Sequence, residues 1–255
     1  VAFDKAITSF NSALNYGSGE HDLAAHAGLA QTYAALGQWD QAKAQAAMVP
    51  SDFRWDVYYD INDNANILYD ETHDRHEMSV FATWAGAQDP QDPRAPFTKC
   101  DEGGCPNAKG ADGVTTMWRQ ELILDEDDEI AAMTGEEMRL IEAEAALRAN
   151  DLATFTAKIN VVRDLYGLAP IAQPASAGSL EYPNAYDDGW SILDGERHLT
   201  LWLEGRRLYD LHRWDHPFLN GGTVVWTGEA RRDSCMPVPD SECRFNPNFT
   251  CQEAA

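Results

Sequence analysis

Apolar positions in this chain recur at helical intervals in three blocks and lose that interval between them. In residues 3 to 49, Leu29, Ala30, Tyr33, Gly37, Trp39 and Ala42 run large, small, aromatic, small at a turn, aromatic, small. That order lets two antiparallel helices approach closely, as tetratricopeptide hairpins do. Ala6, Phe10 and Ala13 repeat the spacing of a second helix, with Ala6 lying 36 positions before Ala42; the tetratricopeptide period is about 34. The chain is therefore expected to open midway through a repeat, with a helical face left for an N-terminal part, another region or a neighbouring copy to cover.

Residues 50 to 118 replace helical period with Pro, Gly, Asp and aromatics, which predicts an irregular segment with short helices. Asp89 to Pro96 is a rigid, turn-rich connector within it, because each proline pushes its predecessor out of helix. The second helical block is expected after Asp125-Glu-Asp-Asp-Glu129, whose charge suits a solvated helix start. Glu136 to Asn150 and Asp151 to Leu165 predict a hairpin, with Met138, Ile141, Ala145 and Leu147 inward, Ile159, Val162 and Leu165 answering, and Gly167 as C-terminal cap. A long loop, 169 to 189, precedes the third block. There Leu199, Trp202, Leu203, Leu208 and Leu211 form the stripe of one helix from Glu196 to Trp214. Glu196, Arg197, Glu204, Arg206, Arg207, Asp210 and Arg213 are then expected to pair mostly along that helix, three or four residues apart. After Pro217 the chain turns irregular, with a short strand pair near Val224.

The fold expected is mainly α: tetratricopeptide-like helical hairpins in one domain with long irregular loops. Its parts are residues 1–49, 50–125, 126–216 and 217–255, and 255 residues with 44% apolar content suffice for that core. A net charge of −23 sets this surface against nucleic acid or an anionic membrane as partner. No run of 18 apolar residues exists to span a bilayer. The chain opens Val-Ala-Phe-Asp-Lys rather than with a signal sequence, so a targeting segment is expected to have been removed or omitted. Cys100 and Cys105 flank a Gly-Gly turn, and Cys235, Cys243 and Cys251 recur every eight residues in a Pro-rich tail. Loop cysteines of this kind suit disulfides in an oxidising compartment, with one left unpaired within the chain; a zinc site would want paired C-x-x-C spacing.

Four motifs in order resemble the SusD/RagB family of outer-membrane nutrient-binding lipoproteins. They are Glu137-Met-Arg-Leu-Ile-Glu-Ala-Glu-Ala145, Ile159-Asn-Val-Val-Arg163, the run from Glu196 to Arg213, and Met236-Pro-Val-Pro-Asp-Ser-Glu242 with Asn246-Pro-Asn248. The tetratricopeptide-like start and the Asp92-Pro-Arg94 turn agree with it. Thr200 departs from the family, which has a glutamate there and so one more ion pair. Family members are also longer and begin with a lipidated cysteine, which makes this a short or N-terminally truncated member. The resemblance implies a SusD-like α-solenoid at the outer membrane, cell surface or outside the cell. It also implies a non-catalytic role: capture of an oligosaccharide or peptide ligand for a TonB-dependent, SusC-like transporter, with no cofactor.

Sugar recognition needs flat apolar faces beside Asp, Asn or Arg side chains. Trp55, Tyr58, Tyr59, Asn62, Tyr69 and Trp84 are the candidate ligand-binding residues on that ground, supported by Asn64 and Asn66, with Trp190 and Trp226 as weaker ones. The competing role for these aromatics is a small local core. The half repeat and the odd cysteine suggest a different function, a structural subunit that self-assembles into an extracellular filament or sheath. Catalysis lacks a recognisable acid and base pair. His73-Asp-Arg-His76 lacks the glutamate and third ligand of a zinc hydrolase, and Asp125–Glu129 lacks the alternation and glycine of a calcium loop. No metal site is expected.

Overall fold

A computed structural model describes residues 2–80, 90–182 and 184–219, apart from the side chain of Glu102. It is mainly helical, as expected. Ala2–Tyr16 (α1), Glu20–Ala35 (α2) and Trp39–Ala46 (α3) are three consecutive helices, α1 packing on α2 and α2 on α3. Small residues allow this closeness: a Cβ at Gly28 would lie 2.2 Å from Cζ of Phe10. Gly37 supplies the left-handed turn between α2 and α3. None of the residues of α1 is buried, and its apolar residues Ala6, Ile7, Phe10 and Leu14 are half-buried on the side that meets α2.

Arg54–Val57 (β1) pairs antiparallel with Ile130–Thr134 (β4), and Phe97–Lys99 (β2) with Trp118–Gln120 (β3). A short helical turn, Ile67–Tyr69 (α4), runs into a π-helical turn at Asp70–Asp74. The segment expected to be irregular with short helices thus contains strands as well. The acidic run does not start a helix; it is a turn in which Asp128 Oδ2 accepts the backbone N–H groups of Leu124 (2.5 Å) and Asp125 (2.9 Å), and a strand follows. The helix begins later because Thr134 caps it, its hydroxyl accepting the Glu137 N–H at 3.1 Å.

That helix, Gly135–Arg148 (α5), is the centre of the fold. Met138 and Ile141 pack with Ala24, Ala27, Ala30, Ala42, Ala46 and Val49 of the N-terminal unit. Leu140, Ala143 and Leu147 pack with Phe155, Ile159 and Val162 of Leu152–Leu165 (α6) and with Ile192 and Leu193 of Gly189–Thr200 (α7). Gly135 is held against the preceding loop, where a Cβ would come within 2.0 Å of the Pro50 carbonyl oxygen. Gly167, with φ of 65°, ends α6 as expected, its N–H donating to the Asp164 carbonyl. Leu165, expected inward, is 44% exposed on the last turn.

The run from Glu196 to Trp214 is not one helix. It is α7, a turn, and Arg207–Arg213 (α8), with Leu203 and Gly205 both left-handed at φ of 64° and 75°. Of the expected stripe, Leu211 is buried while Leu208 is 42% exposed. Cys100 and Cys105 form a disulfide. Cys235, Cys243 and Cys251, Trp84, Trp226, the strand pair near Val224 and the last of the four motifs lie outside the described residues. Among the described residues no helix is long and apolar enough to cross a membrane.

Candidate ligand-binding surface

β1 carries the first candidate residues, and its pairing with β4 divides them. A bulge between Trp55 and Asp56 shifts the register there. Trp55 sits opposite Met133, packs against the N-terminal core and meets His21 edge to face at 5.3 Å between centroids. Past the end of β1, Tyr58 is 68% exposed and Tyr59 half-buried. The chain then folds into a tight loop in which Asn64 N–H donates to the Asp60 carbonyl (2.9 Å) and Asp60 N–H to that of Asn64 (3.1 Å). Asp60 Oδ1 accepts the backbone and side-chain N–H of Asn62, at 2.9 and 3.3 Å, and Tyr58 Oη reaches Oδ2 at 3.5 Å. The bonds from Asn62 are foremost in holding the Asp60 carboxyl below its ordinary pKa. This loop presents a phenol face, a carboxylate and an amide side by side on the surface.

The other candidates stand elsewhere. Tyr69 stacks on His73, 4.8 Å apart and nearly parallel. Burial and then Asp74 raise its hydroxyl pKa, while burial and Arg119 lower that of His73. Asn66 is fully buried; its Nδ2 donates to the Asp128 carbonyl at 2.7 Å and its Oδ1 caps α4 through Leu68 N–H at 3.0 Å. It ties the segment to the acidic turn. Trp190 packs on the helical core, with Trp214 at 6.0 Å and the Arg148 guanidinium at 4.9 Å. Tyr58 and Asn62 are therefore joined through Asp60, whereas Trp55 and Tyr69 stand on separate supports.

Sequence reasoning missed a cleft of about 530 Å³ between the 171–175 loop and α7, lined by Arg94, Arg163, Tyr186 and Glu196 among others. Its floor is an ion-pair network. Arg94, 1% exposed along its side chain, donates to both oxygens of Asp92, to Glu196 Oε2 at 2.6 Å and to Thr200 Oγ1 at 3.1 Å. Arg163 Nη1 takes the other Glu196 oxygen at 2.5 Å. Thr200, the departure from the motif, thus keeps a hydrogen bond to Arg94. Burial opposes ionisation of Asp92, but bonds from Arg94 hold its carboxyl below the usual range.

The same pattern continues through α5, α7 and α8. Glu144, fully buried, accepts from Arg213 at 2.5 and 2.8 Å, from Arg148 at 2.8 Å and from Trp214 Nε1 at 2.9 Å. Arg197 binds Asp210 at 2.7 Å, Arg206 binds Glu137 at 3.3 Å, and Arg207 pairs with Asp194. Burial alone would raise the Glu144 and Asp194 carboxyls, yet their partners lower both. Helical spacing predicts that these charges pair along one helix. Within the run from Glu196 to Arg213 they pair between elements instead, because the turn at 201–206 breaks that helix; among the described residues of that run, only Arg213 with Asp210 keeps the three-residue spacing. Glu204, on the turn, is the exception: Oε2 has no hydrogen-bond partner among the described residues. Burial and the nearby Glu137 push its pKa up to about 8.

A model of the SusD family matches residues 136–246, the span that holds this network apart from Asp92 and Arg94. Residues 136–246 are thus similar to the SusD family. Among solved structures it is similar to a SusD-like carbohydrate binding protein from Bacteroides vulgatus, at 17% identity and a TM-score of 0.60 over 91% of this chain and 56% of that one. It is also similar to a SusD-like protein from Bacteroides fragilis, at 15% identity and a TM-score of 0.54 over 84% of this chain and 60% of that one. At such identities the likeness is one of fold. The chain spans less than two thirds of the length of either. No curated protein matches it, and neither comparison offers support for a self-assembling subunit.

Proposed function

We propose that this chain is a non-catalytic receptor at the outer surface of the cell, which captures glycan or peptide nutrients and delivers them to a TonB-dependent, SusC-like transporter. The observation that carries the binding reading is Tyr58, an exposed phenol face held beside Asp60 and Asn62. A pyranose ring can stack on such a face while its hydroxyls exchange hydrogen bonds with the carboxylate and amide. The family match supports the surface location and the transporter partner, and the likeness to a carbohydrate binding protein favours glycan over peptide. Because Trp55 is also a packing residue, Tyr58→Ala is the cleaner probe. On a glycan and peptide array the wild-type chain should mark a set of glycans that Tyr58→Ala no longer marks, with its thermal melt unchanged. Binding to nothing, or binding that survives Tyr58→Ala, defeats the reading.

A further inference from the structure

Asn66 joins two segments that are far apart in sequence. Its backbone N–H donates to the Glu126 carbonyl at 2.7 Å and its Nδ2 to that of Asp128 at 2.7 Å, which sets the loop after β1 against the acidic turn. Val57, opposite Ile130, closes one end of this contact. At the other, buried Gln120 accepts the N–H groups of Leu122 and Ile123 at 2.8 Å and donates to Thr72 Oγ1 at 3.1 Å. On the segments so joined, Val57, Tyr58, Ile61, Ile67, Leu122 and Leu124 are between 43% and 68% exposed. Single exposed apolar side chains are ordinary, but six gathered in one region mark a contact face.

The charge around them is of one sign. No lysine or arginine occurs between Arg54 and Arg75 or between Arg119 and Arg139. The flanking Arg54, Arg75 and Arg119 are taken up by Asp56, by Asp70 and Glu71, and by Glu121. Asp60, Asp63 and the five acids from Asp125 to Glu129 meet no lysine or arginine among the described residues.

We infer that this face docks a cationic amphipathic helix of a partner protein, its apolar stripe on Tyr58, Ile67 and Leu124 and its lysines or arginines against Asp63, Asp127 and Glu129. A helix of that kind carries an apolar stripe bounded by charge, the complement of an apolar centre with an acidic rim. Opposite charge across the contact sets orientation and turns away other partners. Nucleic acid and anionic membrane are repelled by these acids, and a second copy, at a net charge of −23, would bring like charge to the contact. The face includes Tyr58, but the inference does not rest on the glycan reading.

Fluorescence titration of the full chain with three synthetic peptides tests this. One places leucine and lysine at amphipathic helical spacing, the second replaces its lysines by glutamates, and the third scrambles the first so that the leucines form no stripe. The first should bind at least about tenfold more tightly than either of the others. Changing Ile67→Ser and Leu124→Ser together should lower its affinity by at least about tenfold with an unchanged circular dichroism melt, because both side chains are exposed. Asp127→Asn with Glu129→Gln should lower it severalfold, whereas Val161→Ser, at an apolar residue 39% exposed on α6, should leave it as in wild type. Should the serine pair shift the melt, the scrambled peptide and the acid variants decide. No binding at ~100 µM, equal affinity for the scrambled peptide, acid variants that bind as wild type, or an equal loss in Val161→Ser overturns the inference. Loss of glycan binding in Tyr58→Ala is a separate readout, so either reading can fail without the other.

Discussion

Glu144 and Tyr58 mark two regions that use polar and aromatic side chains in opposite ways. Around Glu144 the carboxylate oxygens, the Arg213 guanidinium and the Trp214 indole are drawn inward, and Arg148 and Arg213 lie 4.5 and 5.5 Å from the Trp39 ring centroid. Those cation–π contacts bind α3, α5 and α8 together. Around Tyr58 the aromatic face, the carboxylate and the amide all look outward, tied only to one another within one short loop. Buried charge that is fully paired gives a unique arrangement but little freedom to meet a ligand. Exposed groups held by their neighbours give up packing and remain available.

The comparison is broken most severely from the buried side. Glu144→Ala leaves Arg213 in the interior without its main partner and should remove about 3–5 kcal/mol of stability in urea unfolding; a loss below about 1 kcal/mol would put this network among surface ion pairs. Gly135→Ala should cost about 1–3 kcal/mol, since its Cβ meets backbone of Pro50 and Ser51 rather than a mobile side chain. Ile141→Ala would probe packing rather than backbone, so the glycine variant is the sharper one for how α5 is seated.

Two groups titrate in opposite senses. Glu204 rises from an ordinary 4.5 to about 8 in the fold. The folded state then holds more protons than the unfolded one between those values, so stability falls as pH rises through that window. Glu204→Gln should flatten this slope and gain on the order of 1 kcal/mol at pH ~9 relative to wild type. His198 is lowered, by burial first and Arg207 second, from 6.5 to about 4. Here the unfolded state holds the extra proton, and stability falls as pH drops from 6.5 to about 4. His198→Gln should remove that acid-side loss in denaturant titrations at pH ~4.5 and ~7. The smallest effect on stability belongs to the outward region: Tyr58→Ala should stay within about 0.5 kcal/mol of wild type, and a larger loss would mean that the loop is a packing element.

Much of the helical core was legible. Met138, Ile141, Ala145, Leu147, Ile159 and Val162 face inward because apolar residues at helical spacing have only one way to leave water together. The break after Thr200 was not legible, since Leu203 adopts a left-handed backbone without being the glycine that signals one. Nor were β1 and β4, whose four and five residues acquire strand character from each other rather than from local alternation. For the candidate surface, composition singled out a segment but could not separate Tyr58, exposed, from Asn66, buried as a tie to the acidic turn.

By itself the sequence determined much of the helical core, where Gly167 ends one helix, that Cys100 and Cys105 are near enough to join, and a likeness to the SusD family. Those are local matters of period, cap and short loop, and each is encoded within a few turns of chain. Only the tertiary structure decided which charge meets which. Arg94 reaches Glu196, and Glu144 reaches Arg213, across long stretches of sequence. Pairing at that range is chosen by burial: once the apolar faces of α5, α6 and α7 close, a carboxylate inside must take whichever guanidinium the packing brings to it.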